Sequence, residues 1–359
     1  MISKELSKTL YASNVIATIL VVSIHYSEHS SFSSDTEFFS RVNFYIQEFI
    51  VDGIARSAVP LFAILAGFFA YSSYIKRASF LLLLKSKIKS LLVPYMLCSL
   101  VICVYYFFFI TNTDNFNLSY YVSRWLFKPF SIQFWFLRDL IFLTLFIPIL
   151  FFNNKFFKAL LGIILFLSWL FEIQVTPKFY GWYLLSIETL FYFWLGGFLC
   201  QYRSQLVKLA SERYEMLLYL HIIWIGLILS RIFIDPTINI WYREDYSGMS
   251  LLLYKASIIF GIIALIHLGW KVRMITAVQF LAGFSFFVYI FHMHPVISLK
   301  GILGAVIAKE VMFYILVPLG ITVCYSAALI ISYFIPLVFN LLTGGRSPTR
   351  VTKSVSELN

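Results

Sequence analysis

The sequence predicts an all-α protein that crosses a membrane many times, and three observations carry that reading. Charge is scarce: 60% of the residues are hydrophobic and 13% charged, too few charges to coat a soluble domain of 359 residues. Apolar runs of about 20 residues recur from end to end, each long enough to cross a hydrocarbon core of about 30 Å. Lysine and arginine gather in every second connection between those runs, the pattern of cytoplasmic loops. The net charge of +11 follows from that topology and does not indicate a nucleic-acid partner. Cys98, Cys103, Cys200 and Cys324 each lie inside an apolar run at no metal-ligand spacing and read as small core residues. No metal site is expected.

Taken in order, the candidate spans are 9–27, 54–75, 89–110, 133–152, 156–175, 180–200, 215–234, 250–268, 276–298 and 312–339, about ten in all. Lys4 and Lys8 precede the first run and no small-residue cleavage site follows it, which reads as an uncleaved signal anchor. The next connection contains FFSRVNFYIQEFIVDG. Its Phe39, Val42, Ile46, Phe49 and Ile50 recur with helical spacing, which suits a short helix lying in the membrane interface. Lys76, Arg77, Lys85, Lys87 and Lys89 precede the third span; Lys155 and Lys158, Arg203, Lys208 and Arg213, and Lys271 and Arg273 fill the later basic connections. The intervening connections carry Glu28, Asp35, Glu37, Asp52, Asp114, Glu244 and Asp245. This alternation places both termini in the cytoplasm. Residues 1–342 form one membrane domain with no internal repeat, and 343–359 read as a polar, disordered cytoplasmic tail.

The first span, LYASNVIATILVVSIHYSEH, has one face that is not apolar. Asn14, Thr18, His25, Glu28 and His29 fall within a narrow sector at about 100° per residue. Polar groups inside a span are costly, about 2.5–3.5 kcal/mol for a charge near a helix centre, so a functional reading is the default. On the expected orientation His25 lies in the outer half. The ninth span brings Ser285, Tyr289 and His292 to a similar depth on one face, with His294 pointing the other way and Pro295 kinking or ending the helix. Trp135, Arg138 and Asp139 begin the fourth span; the two charged neighbours diverge by about 100° and are expected to meet other helices rather than each other. Arg56 precedes the second span and Glu188 lies a few turns into the sixth. These residues fit one shared polar site, and they also fit scattered interhelix hydrogen bonds. Arg231, Lys255 and Glu172 read as interfacial anchors, and His221 and His267 as lone core histidines. Lys85, Lys87 and Lys89 suit topogenesis or anionic lipid first, and the phosphates of coenzyme A second.

Several segments in the same order resemble the membrane-bound acyltransferase-3 family, the O-acyltransferases of bacterial surface polysaccharides. IATILVVSIH resembles its signature run ending in histidine, and VPLFAILAGFF resembles its V-P-x-F-F-x-x-S-G-F element, with Ala63 and Ala66 replacing Phe and Ser. KIKSLLVPY, FWFLRDLIFL with Pro148, and FSFFVYIFHMHP resemble the family's later segments. The chain departs from the pattern at Asn14, where many members carry arginine eleven residues before the histidine. The resemblance implies transfer of an acyl group, usually acetyl, from cytoplasmic acetyl-CoA to a sugar hydroxyl of an O-antigen-like or lipid-linked glycan at the bacterial inner membrane. His25 would then act as general base or acyl carrier, with His292 and Tyr289 beside it. Asp139, Glu28 or Glu188 would orient it, and Arg56 or Arg138 would stabilise the oxyanion. Asn14, Trp135 and Glu28 would line the acceptor. A competing reading is a carrier or flippase of lipid-linked sugars, for which discontinuous helices or a repeat in matching halves would be expected.

Overall fold

The computed structural model describes residues 3–25, 38–77, 79–109, 117–174, 176–179, 182–183, 185–212, 214–236 and 247–346. Their regular structure is helical except for a two-residue antiparallel ribbon, β1 (Lys178–Phe179) paired with β2 (Trp182–Tyr183). The first helix, α1 (Lys4–Ile24), starts where the Ser3 hydroxyl accepts the Leu6 N–H.

Six helical stretches are long and apolar enough to cross a membrane: Lys4–Ile24, Phe38–Arg77, Phe80–Phe108, Leu217–Ile234, Gly248–Val272 and Val311–Phe334. A seventh is the bent pair α15 (Ser285–Phe291) and α16 (Met293–Leu303), if it is counted as one span. The protein is therefore a multi-pass membrane protein. The other expected spans fall on shorter helices. Residues 133–152 form α7 (Phe134–Leu145) and α8 (Ile147–Leu150), interrupted just ahead of Pro148, which offers no N–H to the Thr144 carbonyl. The next two are α9 (Lys155–Leu170) and α10 (Ile187–Gln201). At 1.5 Å per residue each covers about 23 Å, short of a full hydrocarbon core.

Two expected connections are helical as well. The interfacial helix α2 (Phe38–Gln47) does not stand apart from the next span. It runs through a π-helical segment, Glu48–Ile54, and a 3-10 turn, Ala55–Ser57, into α3 (Ala58–Arg77). Likewise α4 (Phe80–Lys87) passes through a second π-helical segment, Ile88–Leu92, into α5 (Val93–Phe109).

The helices form two compact units, one from described residues of Met1–Phe62 and Arg203–Ala327, the other from those of Ala63–Tyr202 and Ala328–Ser347. In unit one, α1 packs against α13 (Gly248–Val272), α14 (Thr276–Ala282) and α15, and α13 packs against α12 (Tyr214–Ile234). Val22, Val51, Val288, Val296, Phe313 and Leu316 make its core, with α17 (Lys309–Phe334) supplying the last two. In unit two, α10 packs on α9 and α7, and α5 on α6 (Leu118–Leu126) and α18 (Pro336–Thr343). There α3 and α10 cross backbone to backbone. A Cβ on Gly67 would fall on the Phe193 carbonyl, and one on Gly196 on the Ile64 carbonyl. Small residues permit this approach where no hydrophobic force drives helices together. Gly344, at φ 64°, ends α18, and the adjoining Gly345 N–H closes onto the Asn340 carbonyl at 2.7 Å.

Candidate active site

Unit one brings His25 and His292 together. His25 ends α1 and is half-buried; His292 is fully buried, at the break between α15 and α16. The break has a local cause. Pro295 has no N–H for the Phe291 carbonyl and crowds it, and the two helices meet at a 54° bend. The imidazole rings are 5.0 Å apart between centroids. His292 Nδ1 lies 2.9 Å from the Tyr289 carbonyl and 3.2 Å from the Val288 carbonyl. Both neighbours are acceptors, so Nδ1 carries the proton and Nε2 the lone pair. That Nε2 is buried with no hydrogen-bond partner among the described residues. Tyr289 completes the cluster, its ring 6.3 Å from His292 and 5.8 Å from Phe62.

Arg56, in the 3-10 turn, is 8% exposed and lies close enough to His25 for their charges to interact. It is held by Asp52, to which it donates through Nε at 2.8 Å and through Nη2. Asp52 belongs to the π-helical segment, as does Glu48, which pairs with Arg231 of α12 at 3.2 Å. Arg231 and Lys255 are not interfacial anchors. They are 2% and 1% exposed, because Arg231 finds a carboxylate inside the protein and need not reach for the surface. His221 and His267 are not alone either, their rings lying 5.1 Å apart.

Asn14 is half-buried on α1, and its backbone carbonyl accepts the Thr18 hydroxyl at 2.8 Å. Glu28, His29, Asp114, Glu244 and Asp245 lie outside the described residues. In unit two the expected divergence of Arg138 and Asp139 does not hold: Arg138 Nη2 bends back to Asp139 Oδ1 at 3.3 Å. The long guanidinium stem spans the angle that their backbone positions set. Each also meets another element, Arg138 donating to the Phe127 carbonyl at 3.0 Å and Asp139 accepting the Ser186 N–H at 2.9 Å, at the start of α10. Trp135 and Glu188 are half-buried on α7 and α10.

The three candidate lysines of unit two separate. Lys85 and Lys89 are exposed, while Lys87 is half-buried, and the charges bearing on it are those of Arg346 and Arg77, both cations. Arg346 reaches this place from the expected tail, donating to the Ser90 carbonyl at 2.7 Å and the Thr343 carbonyl at 2.9 Å. Arg77 is tied to Ser86 Oγ at 3.1 Å.

Asp52, Glu48, Arg231 and Arg346 are the residues that sequence reasoning did not assign to a site. Asp52 was within reach, since it stands four residues before Arg56, the helical pairing distance. Glu48 and Arg231 are 183 positions apart, and nothing local in the sequence joins them.

A family model described as an acyltransferase domain matches residues 15–336. No curated protein and no solved structure matches the chain.

Proposed function

The chain belongs to the acyltransferase-3 family, and from that premise we propose that it moves an acyl group, acetyl in the simplest case, from cytoplasmic acyl-CoA to a sugar hydroxyl. The acceptor is a cell-surface polysaccharide or its lipid-linked precursor, of the O-antigen kind, at a bacterial inner membrane. One observation carries the reading: a buried imidazole lone pair, His292 Nε2, with no hydrogen-bond partner among the described residues and a second imidazole beside it. An unsatisfied buried acceptor is costly and calls for a role.

In the proposed chemistry His25 takes the proton of the sugar hydroxyl as the sugar oxygen attacks the acyl carbonyl. The imidazolium so formed donates to His292 Nε2, whose tautomer is already fixed by the Tyr289 and Val288 carbonyls. Arg56 stabilises the tetrahedral oxyanion. Collapse breaks the C–S bond, the ester remains on the sugar, and coenzyme A leaves as the thiol after taking up the proton. Lys87, with Arg77 and Arg346, receives the phosphates of the donor, and Lys85 and Lys89 add a screened field around it. The alternating basic connections support a cytoplasmic placement of that cluster.

The test is acyl transfer to the native glycan, normalised to folded protein in membranes. His25→Gln keeps hydrogen bonding but cannot take a proton at neutral pH, so transfer should fall by about 10²–10⁴-fold. His292→Gln should fall less, since its amide oxygen still accepts. Transfer near wild-type rate by His25→Gln removes the histidine from the chemistry.

A further inference from the structure

The chemistry above uses only one member of the buried charge network of unit one, Arg56. The other members are organised around an unusual piece of backbone. A π-helical turn is rare, and such turns concentrate at functional sites. The one at Glu48–Ile54 is held from outside. Arg231 approaches from α12 and donates to two points four residues apart, through Nη1 to Glu48 Oε2 at 3.2 Å and through Nη2 to the Asp52 backbone carbonyl at 3.3 Å. Gly53 admits α12 this closely: a Cβ there would fall on the Ile228 side chain, one turn before Arg231 on the same face. Asp52 in turn grips Arg56.

We propose that Glu48 and Arg231 are positioning residues for acyl transfer, pinning the π-helical turn at two points so that Asp52 presents Arg56 to the histidine pair. This rests on the reading of Arg56 as the oxyanion donor. Planarity is what the clamp needs from Arg231, because its two nitrogens reach a side chain and a backbone carbonyl at once. A lysine ammonium keeps the charge but loses that fork. Glu48 and Arg231 also cancel in charge, so both can be neutralised together without leaving an ion stranded.

The experiment compares wild type with Glu48→Gln/Arg231→Gln, Arg231→Lys and Arg56→Gln in membranes, reading kcat, the KM for acyl-CoA and the amount of folded protein. The double variant should fold, keep its KM for acyl-CoA, and lose at least about tenfold in kcat, since a misplacement of about 1 Å can cost 10²-fold. Arg231→Lys should show a smaller loss of the same kind. Wild-type kcat per folded molecule in the double variant overturns the proposal. Should the double variant fail to fold, Arg231→Lys decides: full folding with reduced kcat supports the clamp, and unchanged kcat or failure to fold overturns it. Arg56→Gln separates the two readings. If that variant keeps wild-type kcat, the site assignment fails; if it is slow while the double variant is not, only the clamp fails.

Discussion

Each unit keeps charged residues beside a π-helical turn, and the two balance them differently. Around Glu48–Ile54, two carboxylates meet two guanidiniums, Glu48 with Arg231 and Asp52 with Arg56, all nearly inaccessible. Beside Ile88–Leu92, the charges that bear on Lys87 among the described residues are those of Arg77 and Arg346, all of one sign. The first arrangement is electrically closed. Its members satisfy one another, and removing a single partner from such a buried pair typically costs about 3–5 kcal/mol. The second is open, and like charges held together favour whatever anion arrives. On the proposed function, the closed network holds geometry for chemistry, whereas the open one receives the phosphates of the donor.

That contrast predicts different kinetic signatures. The largest effect belongs to the closed network: Arg56→Gln should lower kcat by about 10²–10³-fold, the usual loss of an oxyanion donor, with little change in the KM for acyl-CoA. A variant whose KM rises while kcat holds would dissolve the distinction between the two regions. Next in size, Arg77→Gln/Lys87→Gln should raise the KM for acyl-CoA about tenfold, equivalent to ~1.4 kcal/mol of binding, with kcat unchanged. Steady-state kinetics at low and high salt checks it, because the wild-type advantage should shrink as ionic strength rises. The smallest effect sharpens the comparison within the open region. Lys85→Gln/Lys89→Gln removes two exposed charges and should change KM by less than about threefold. An effect equal to that of Lys87 would mean that burial beside Arg346 contributes nothing.

Much of the fold was legible because a membrane imposes it. The apolar runs, the helical class and the multi-pass character follow from hydrocarbon thickness and backbone hydrogen bonding. Helix lengths were less legible. Pro148 and Pro295 are visible as breakers, but the chain does not announce how a run of apolar residues divides around them. The histidine pair was readable from the polar stripe of α1 and the Ser285–Tyr289–His292 face. The partner of Arg56 is readable only if helix continues across residues 48–57, between the expected interfacial helix and the expected second span. Glu48–Arg231 is a contact between distant helices, and no periodicity encodes it. The burial of Arg231 is hidden for a related reason, since snorkelling is the default only for a charge without an internal partner, and its partner Glu48 is remote in sequence.

The π-helical segment at Glu48–Ile54 also sets the phase of everything after it. Such a segment amounts to one residue inserted into an α-helix, so positions beyond it are turned by about 100° from where an uninterrupted helix would carry them. The face that α2 shows its surroundings and the face that α3 shows are therefore not one continuous stripe, although the chain is helical from Phe38 to Arg77. A heptad-like ruler laid across this stretch misassigns one half or the other. Deleting a single residue between 49 and 51 should remove the slip and turn Arg56 away from His25, while its four-residue spacing from Asp52 stays as it is.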